Sequence, residues 1–266
     1  MRIADLGTLS GEVWCFGGPL SNLQALAALQ GEAARHGILG CNLICTGDVA
    51  GYCGQPAETV ALIRRMGAHV VAGNVEVQLA TGAADCGCGF TPGSACDLLS
   101  GGWYAHTDRA IDGAARAWME DLPDMAVFAH EGRRYAVIHG GFTNIARFLW
   151  PTSSHTEFAL ELAAIQAAAG PVDGVIAGHC GVAFERDISG IHWINVGAIG
   201  MPPNDGRRQT RYVTLQADGA RIHALDYDVA GAVAAMRGAG LTQGYDRALE
   251  TGIWPSEDIL PKEMRL

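Results

Sequence analysis

Two rhythms of apolar and polar residues divide this chain. A short apolar run over residues 12–16 breaks at Gly17-Gly18-Pro19, and Ser21 is then placed to cap a helix carrying Leu23, Leu26, Ala27 and Leu29 at helical spacing. The pattern repeats with a strand over 42–46, a glycine-containing loop over 47–55, and a helix opened by Pro56 that carries Val60, Leu62 and Ile63. A third strand over 68–72 stops at Gly73-Asn74. Strands alternating with helices predict a largely parallel sheet, with ligands bound beyond the carboxyl ends of its strands.

The rhythm changes after Leu122-Pro123. Residues 125–130 and 134–138 read as adjacent strands joined by a tight turn at Glu131-Gly132 and starting a second sheet. A helix over 155–169 leads to strands over 174–177, 183–188, 191–195, 211–216 and 221–226, with turns at Ser189-Gly190 and Asp218-Gly219. Residues 81–102 are glycine-rich, which predicts a long ordered loop, followed by a helix over 107–121. The expectation is an α/β chain with two packed sheets and helices outside. One domain covers residues 1–239 with an insertion at 81–102, and a loosely ordered tail follows over 240–266.

Composition narrows the function classes. At 266 residues the chain sits near the upper limit for one hydrophobic core. Its 49% hydrophobic and 17% charged residues are ordinary for a globular protein, and no window holds the roughly 18 uninterrupted apolar residues of a membrane span. The first twelve residues lack the basic start and apolar run of a secretory signal, so a cytoplasmic location is expected. A net charge of −10 opposes binding to duplex nucleic acid. A small phosphorylated substrate or ligand remains compatible, because a bound cation reverses the local potential. So does a homo-oligomer. Eight cysteines then read as reduced thiols, packing or a metal site.

Four candidate metal ligands each follow a predicted strand directly: Asp48 in Gly47-Asp48, Asn74 in Gly73-Asn74-Val75-Glu76, His139 in His139-Gly140-Gly141, and His179 in Gly178-His179-Cys180-Gly181. Glycine beside each lets the backbone turn sharply and leaves room for an ion and a substrate oxygen. Mixed oxygen and imidazole donors suit zinc, manganese or iron better than calcium or magnesium.

In order and spacing over residues 12–226, these segments resemble the calcineurin-like metallophosphoesterases, whose motifs run Asp-x-His, Gly-Asp, Gly-Asn-His-Asp/Glu, a late His, and Gly-His-x-His. Ile194-Asn195-Val196-Gly197-Ala198-Ile199-Gly200-Met201-Pro202 and Arg211-Tyr212 look like further segments of the bacterial phosphodiesterase-like branch. The resemblance implies an αββα four-layer sandwich of two mixed sheets, a two-metal centre, and hydrolysis of phosphoesters by metal-activated water.

The departures from that pattern are organised. Gly18 and Leu20 stand where an aspartate and a histidine are expected, Gly181 replaces the last histidine, and Val75 replaces the histidine that usually helps the leaving group. The three missing ligands serve the first metal alone, whereas Asp48, the bridge, and Asn74, His139 and His179, the second metal's ligands, all remain. A one-metal site is therefore expected. Cys53 and Cys180 fall near the ligands and are candidate extra donors, and Arg211 is a candidate phosphate partner. Cys86, Cys88 and Cys96 are candidates for a separate thiolate site, although a fourth ligand is missing and the spacing is not a standard zinc pattern. The leading functional reading is a metal-dependent phosphoesterase for a small phosphodiester or phosphomonoester. The competing one is a catalytically silent phosphoesterase fold that binds metal plus a nucleotide or a protein partner.

Overall fold

Successive residues of a strand face opposite sides of its sheet, and in the central strands of this chain both sides are apolar. Leu43 and Cys45 of β3 (Leu43–Cys45) join one apolar cluster while Ile44 between them joins another. In β6 (Arg133–Val137), Ala136 and Val137 part in the same way. Strands of this kind have to be covered twice, which dictates layers on both sides of each sheet.

The computed structural model describes residues 1–266 and meets that demand with an αββα sandwich. One mixed sheet has five strands in the order β11 (Gly219–Leu225), β10 (Thr210–Gln216), β2 (Val13–Phe16), β3 and β4 (His69–Val70). The other has six, in the order β1 (Ile3–Thr8), β5 (Met125–His130), β6, β7 (Gly174–Ala177), β9 (Ile191–Val196) and β8 (Ala183–Ile188). Between them lies a cluster built from residues such as Val13, Ile44, Val137, Ile176, Ile194 and Val213. Helix α6 (His155–Ala169) covers the six-stranded sheet with Phe158, Leu162 and Ile165. Over the five-stranded sheet lie α1 (Leu23–Arg35), α2 (Pro56–Met66), α3 (Asn74–Thr81), α4 (Ala95–Ala110), α5 (Gly113–Glu120) and α7 (Val229–Gly238). No helix is long and apolar enough to cross a membrane.

Several elements differ from the sequence reading. Strand β1 is an exposed edge pairing in parallel with β5, and its apolar alternation is only Ala4 and Leu6, too short to mark a strand in the sequence. Strands β10 and β11 belong to the first sheet through β10 against β2, a pairing across some two hundred residues that no local pattern encodes. The loop expected over 81–102 ends early, because Ser94 caps α4 by accepting from the Asp97 amide. Asn22, not Ser21, caps α1, and the Ser21 hydroxyl takes the amide hydrogen of Gly51 instead. Residues 240–266 are not a loose tail: they form α8 (Tyr245–Thr251) and bury Leu241, Tyr245, Leu249 and Leu260.

Ile194, fully buried between the sheets, and Leu98, 73% exposed on α4, calibrate this packing. Ile194→Ala is expected to cost about 2–5 kcal/mol in unfolding free energy, and Leu98→Ala to stay within about 0.5 kcal/mol of the parent. Denaturant midpoints of the two variants check both figures.

Candidate metal centre

All four sequence-predicted ligands come together at one end of the sandwich. Asp48 follows β3, His139 follows β6, His179 follows β7, and Asn74 opens α3. Asp48 and His179 both adopt left-handed backbone, with φ of 53° and 64°. That conformation is costly for residues with a side chain, and it persists here because the surroundings over-determine it.

Those surroundings are dominated by Glu76. Its carboxylate is fully buried and accepts four backbone hydrogens: from Asp48 at 2.7 Å, Val49 at 2.9 Å, Ala50 at 3.3 Å and Gly73 at 3.0 Å. Burial and the neighbouring Asp48 carboxylate push Glu76 up to about 7, against the pull of the amides. With every acceptor position donated to, the ionised form is the one this geometry suits. Gly73 has to be glycine, since a Cβ there would collide with the Asp48 backbone and carboxylate.

Two of the donors are then aimed from behind. His139 Nδ1–H donates to the Thr46 carbonyl at 2.6 Å, which leaves Nε2 facing the centre. Asn74 gives its amide hydrogens to the Cys86 carbonyl at 2.8 Å and the Cys88 sulfur at 3.4 Å, which turns its Oδ1 inward. As a result, His139 Nε2 meets three further acceptors: Asn74 Oδ1 at 2.9 Å, His179 Nδ1 at 3.0 Å and Asp48 Oδ2 at 3.3 Å. A single proton on an imidazole satisfies only part of this set, whereas a cation at the point of convergence satisfies all of it. The ligand atoms of Asp48, His139 and His179 lie within 4.8 Å of one another, as a group able to hold a metal ion requires.

The charges agree. Burial, then the charge on His139, pushes His179 down to about 3, so it is neutral with a free electron pair at ordinary pH. Burial pulls His139 down, but the Asp48 carboxylate outweighs it and the net shift is upward. Burial opposes ionisation of Asp48, yet the two imidazoles hold it below the usual carboxylate range. The residues present therefore fit a divalent ion.

Gly18, Leu20 and Gly181 line the cavity beside these donors and offer no coordinating side-chain atom. The Leu20 side chain lies over Gly18, where an added Cβ would sit 3.0 Å from its Cγ. At Gly181, with φ of 75°, an added Cβ would stand 3.4 Å from the Trp254 ring. Trp254 is fixed there by its indole N–H on the Pro202 carbonyl at 2.6 Å and its amide on Asn204 at 2.7 Å. Sequence reasoning missed it, because its segment carries no motif.

The remaining candidates separate. Cys180 lines the cavity, but burial pushes its thiol up to about 12 and it bonds the Val182 carbonyl. Cys53 points to the Gly200 carbonyl within the core and does not line the cavity. Arg211 is taken up by Asp205 at 2.6 Å and by the carbonyls of Gln209 and Thr210, and it also stays out of the cavity. Cys86 and Cys88 are joined as a disulfide, while Cys96 is a free thiol bonded to Ser256, so the three sulfurs form no common site. The Cys86–Cys88 loop instead orients Asn74.

Glu76→Gln tests the brace. Its NH2 group would face two of the amide donors and leave them unpaired, at about 1–3 kcal/mol. A matching fall in the unfolding midpoint, larger than for Glu58→Gln on α2, is the expected outcome.

The calcineurin-like phosphoesterase superfamily domain matches over residues 26–219. A metallophosphoesterase from Sphaerobacter thermophilus superposes with a TM-score of 0.70 at 21% identity, covering 92% of this chain and 100% of that one. A hypothetical protein from Pyrococcus horikoshii superposes at 0.72 with 14% identity, over 92% of this chain and 99% of its own. No curated protein matches significantly in sequence. With a divalent-metal centre's donor set at its strand ends and the family domain matched over most of its length, this chain belongs to the calcineurin-like phosphoesterase superfamily.

Proposed function

We propose that this chain is a metal-dependent phosphoesterase that hydrolyses a small phosphodiester or phosphomonoester with one divalent transition metal. Manganese, zinc or iron would be held by Asp48, Asn74, His139 and His179. The observation that carries this reading is the convergence of four electron-pair donors beside Gly18, Leu20 and Gly181, which offer no side-chain donor. Lewis acidity toward the phosphoryl oxygen and the attacking water is what a bound divalent ion supplies.

The chain's own residues set the rest. Thr46 fixes the His139 tautomer, Cys86 fixes the Asn74 amide, and Glu76 holds the Asp48 and Asn74 loops in register. Val75 is fully buried and offers no proton to a leaving group. Turnover should therefore be slow and should favour esters whose leaving group departs without protonation. The same valine, with the hydrocarbon at Gly18 and Gly181, favours a second reading: a silent fold that keeps the metal for binding a nucleotide or a protein partner.

Purified protein should carry about one divalent ion per chain, and His139→Ala or His179→Ala should lose both ion and turnover of bis(4-nitrophenyl) phosphate. Metal analysis beside a manganese- and zinc-supplemented assay decides. Retained metal with equal background rates in parent and His139→Ala supports the silent reading. Gly18→Asp, Leu20→His and Gly181→His together should add a second ion, and Trp254→Ala widens the space beside the new histidine, whose Cβ would stand in contact with the indole at 3.4 Å. Metal analysis of the threefold and fourfold variants should find a second ion that the parent lacks.

A further inference from the structure

The cavity that opens onto the metal centre has an unusual wall for a phosphate site. Apart from Asp48, His139 and His179, none of its lining side chains is charged, and no lysine or arginine reaches it. Aromatic rings line it from two directions. Phe148 lies against the His179 imidazole with ring centres 4.3 Å apart, and Phe90 continues that surface 6.2 Å beyond at an interplanar angle of 22°. Behind Phe148, Trp150 stacks almost flat at 6° and fixes its plane. From the other direction Tyr52, stacked on Trp103 at 4.4 Å, meets Tyr245 edge-on at 4.9 Å. Tyr245 and Trp254 belong to the C-terminal segment, outside the residues 26–219 matched by the family domain.

Charge and shape limit what fits. A divalent ion on one carboxylate and three neutral donors is a monocationic centre at most, and Glu76 behind it subtracts from that charge. A phosphodiester carries a single negative charge near neutral pH, whereas a phosphomonoester carries close to two. The second charge would enter an apolar cavity with no guanidinium or ammonium to meet it, at a desolvation cost nothing repays. The ester groups of a diester instead find flat aromatic surface beside the ion, where planar rings stack favourably.

We propose that the cavity selects small phosphodiester monoanions bearing an aryl ester group, seated between the Phe90–Phe148 surface and Trp254, and rejects phosphomonoesters. This specificity rests on the one-metal phosphoesterase reading. It deepens that reading by naming the substrate class and placing the selection on Phe90, Phe148 and Trp254.

Isothermal titration calorimetry of the manganese-loaded protein tests it without relying on turnover. Diphenyl phosphate should bind at least about tenfold more tightly than phenyl phosphate or dimethyl phosphate. Phe148→Leu and Trp254→Phe should each weaken diphenyl phosphate several-fold with the metal content unchanged. Phe90→Arg, which adds the missing cation, should narrow or reverse the preference over phenyl phosphate, an outcome that loss of folding cannot imitate. Equal or tighter binding of phenyl phosphate by the parent overturns the charge argument, and equal binding of dimethyl and diphenyl phosphate overturns the aromatic seat. Selective binding of diphenyl phosphate without hydrolysis sinks the phosphoesterase reading and leaves the seat standing. Hydrolysis without that selectivity does the reverse, and a protein that takes up no manganese overturns both.

Discussion

A buried carboxylate with four amide hydrogens pointed at it holds the functional end of this molecule together. Glu76 stands on α3 and reaches across to the loop after β3, so two chain segments nearly thirty residues apart share one anchor. Buried amides without acceptors would open these loops to water, and a buried carboxylate without donors would be neutralised. Each solves the other's problem. Asp48 is left with a backbone it would not choose unaided, and Asn74, two residues before Glu76, is delivered to the same place by the same helix. One residue that touches no substrate therefore positions two of the four donors.

The sequence showed this arrangement where chemistry and local pattern coincide. Strand, glycine and polar donor in immediate succession marked Asp48, Asn74, His139 and His179, and the structure brings all four together. The sandwich was legible for a related reason, since strands apolar on both faces need two covers. What escaped was decided by distant partners. Arg211 occupies a suggestive place in its motif, yet Asp205 six residues earlier captures it. The thiols of Cys86 and Cys88 read as metal donors until their pairing is seen, and the useful groups of that loop prove to be a carbonyl and a sulfur that turn Asn74. The C-terminal segment gave no signal because its helix is seven residues long and its anchoring depends on contacts with Asn204 and Pro202.

Electrostatics and packing point the same way at the centre. The chain is acidic overall, and its metal cavity adds no basic side chain to offset that field. Under the proposed reading, selectivity then falls to the ion for charge and to aromatic surface for shape. Trp254 serves both the site and the fold, because it packs against the apolar clusters on either side of the sandwich.

Under the one-metal reading, Leu20 and Trp254 also bear on how a second ion could be introduced. Here an aspartate at position 18 meets the Leu20 side chain before it meets any ion, and a histidine at position 181 meets an indole and an unfavourable backbone. Each of the three substitutions adds one donor, and one donor does not make a second site. Under the one-metal reading proposed above, a second cation is therefore a cooperative acquisition: partial sets of donors leave the chain with the same single ion and the same aromatic-rich cavity.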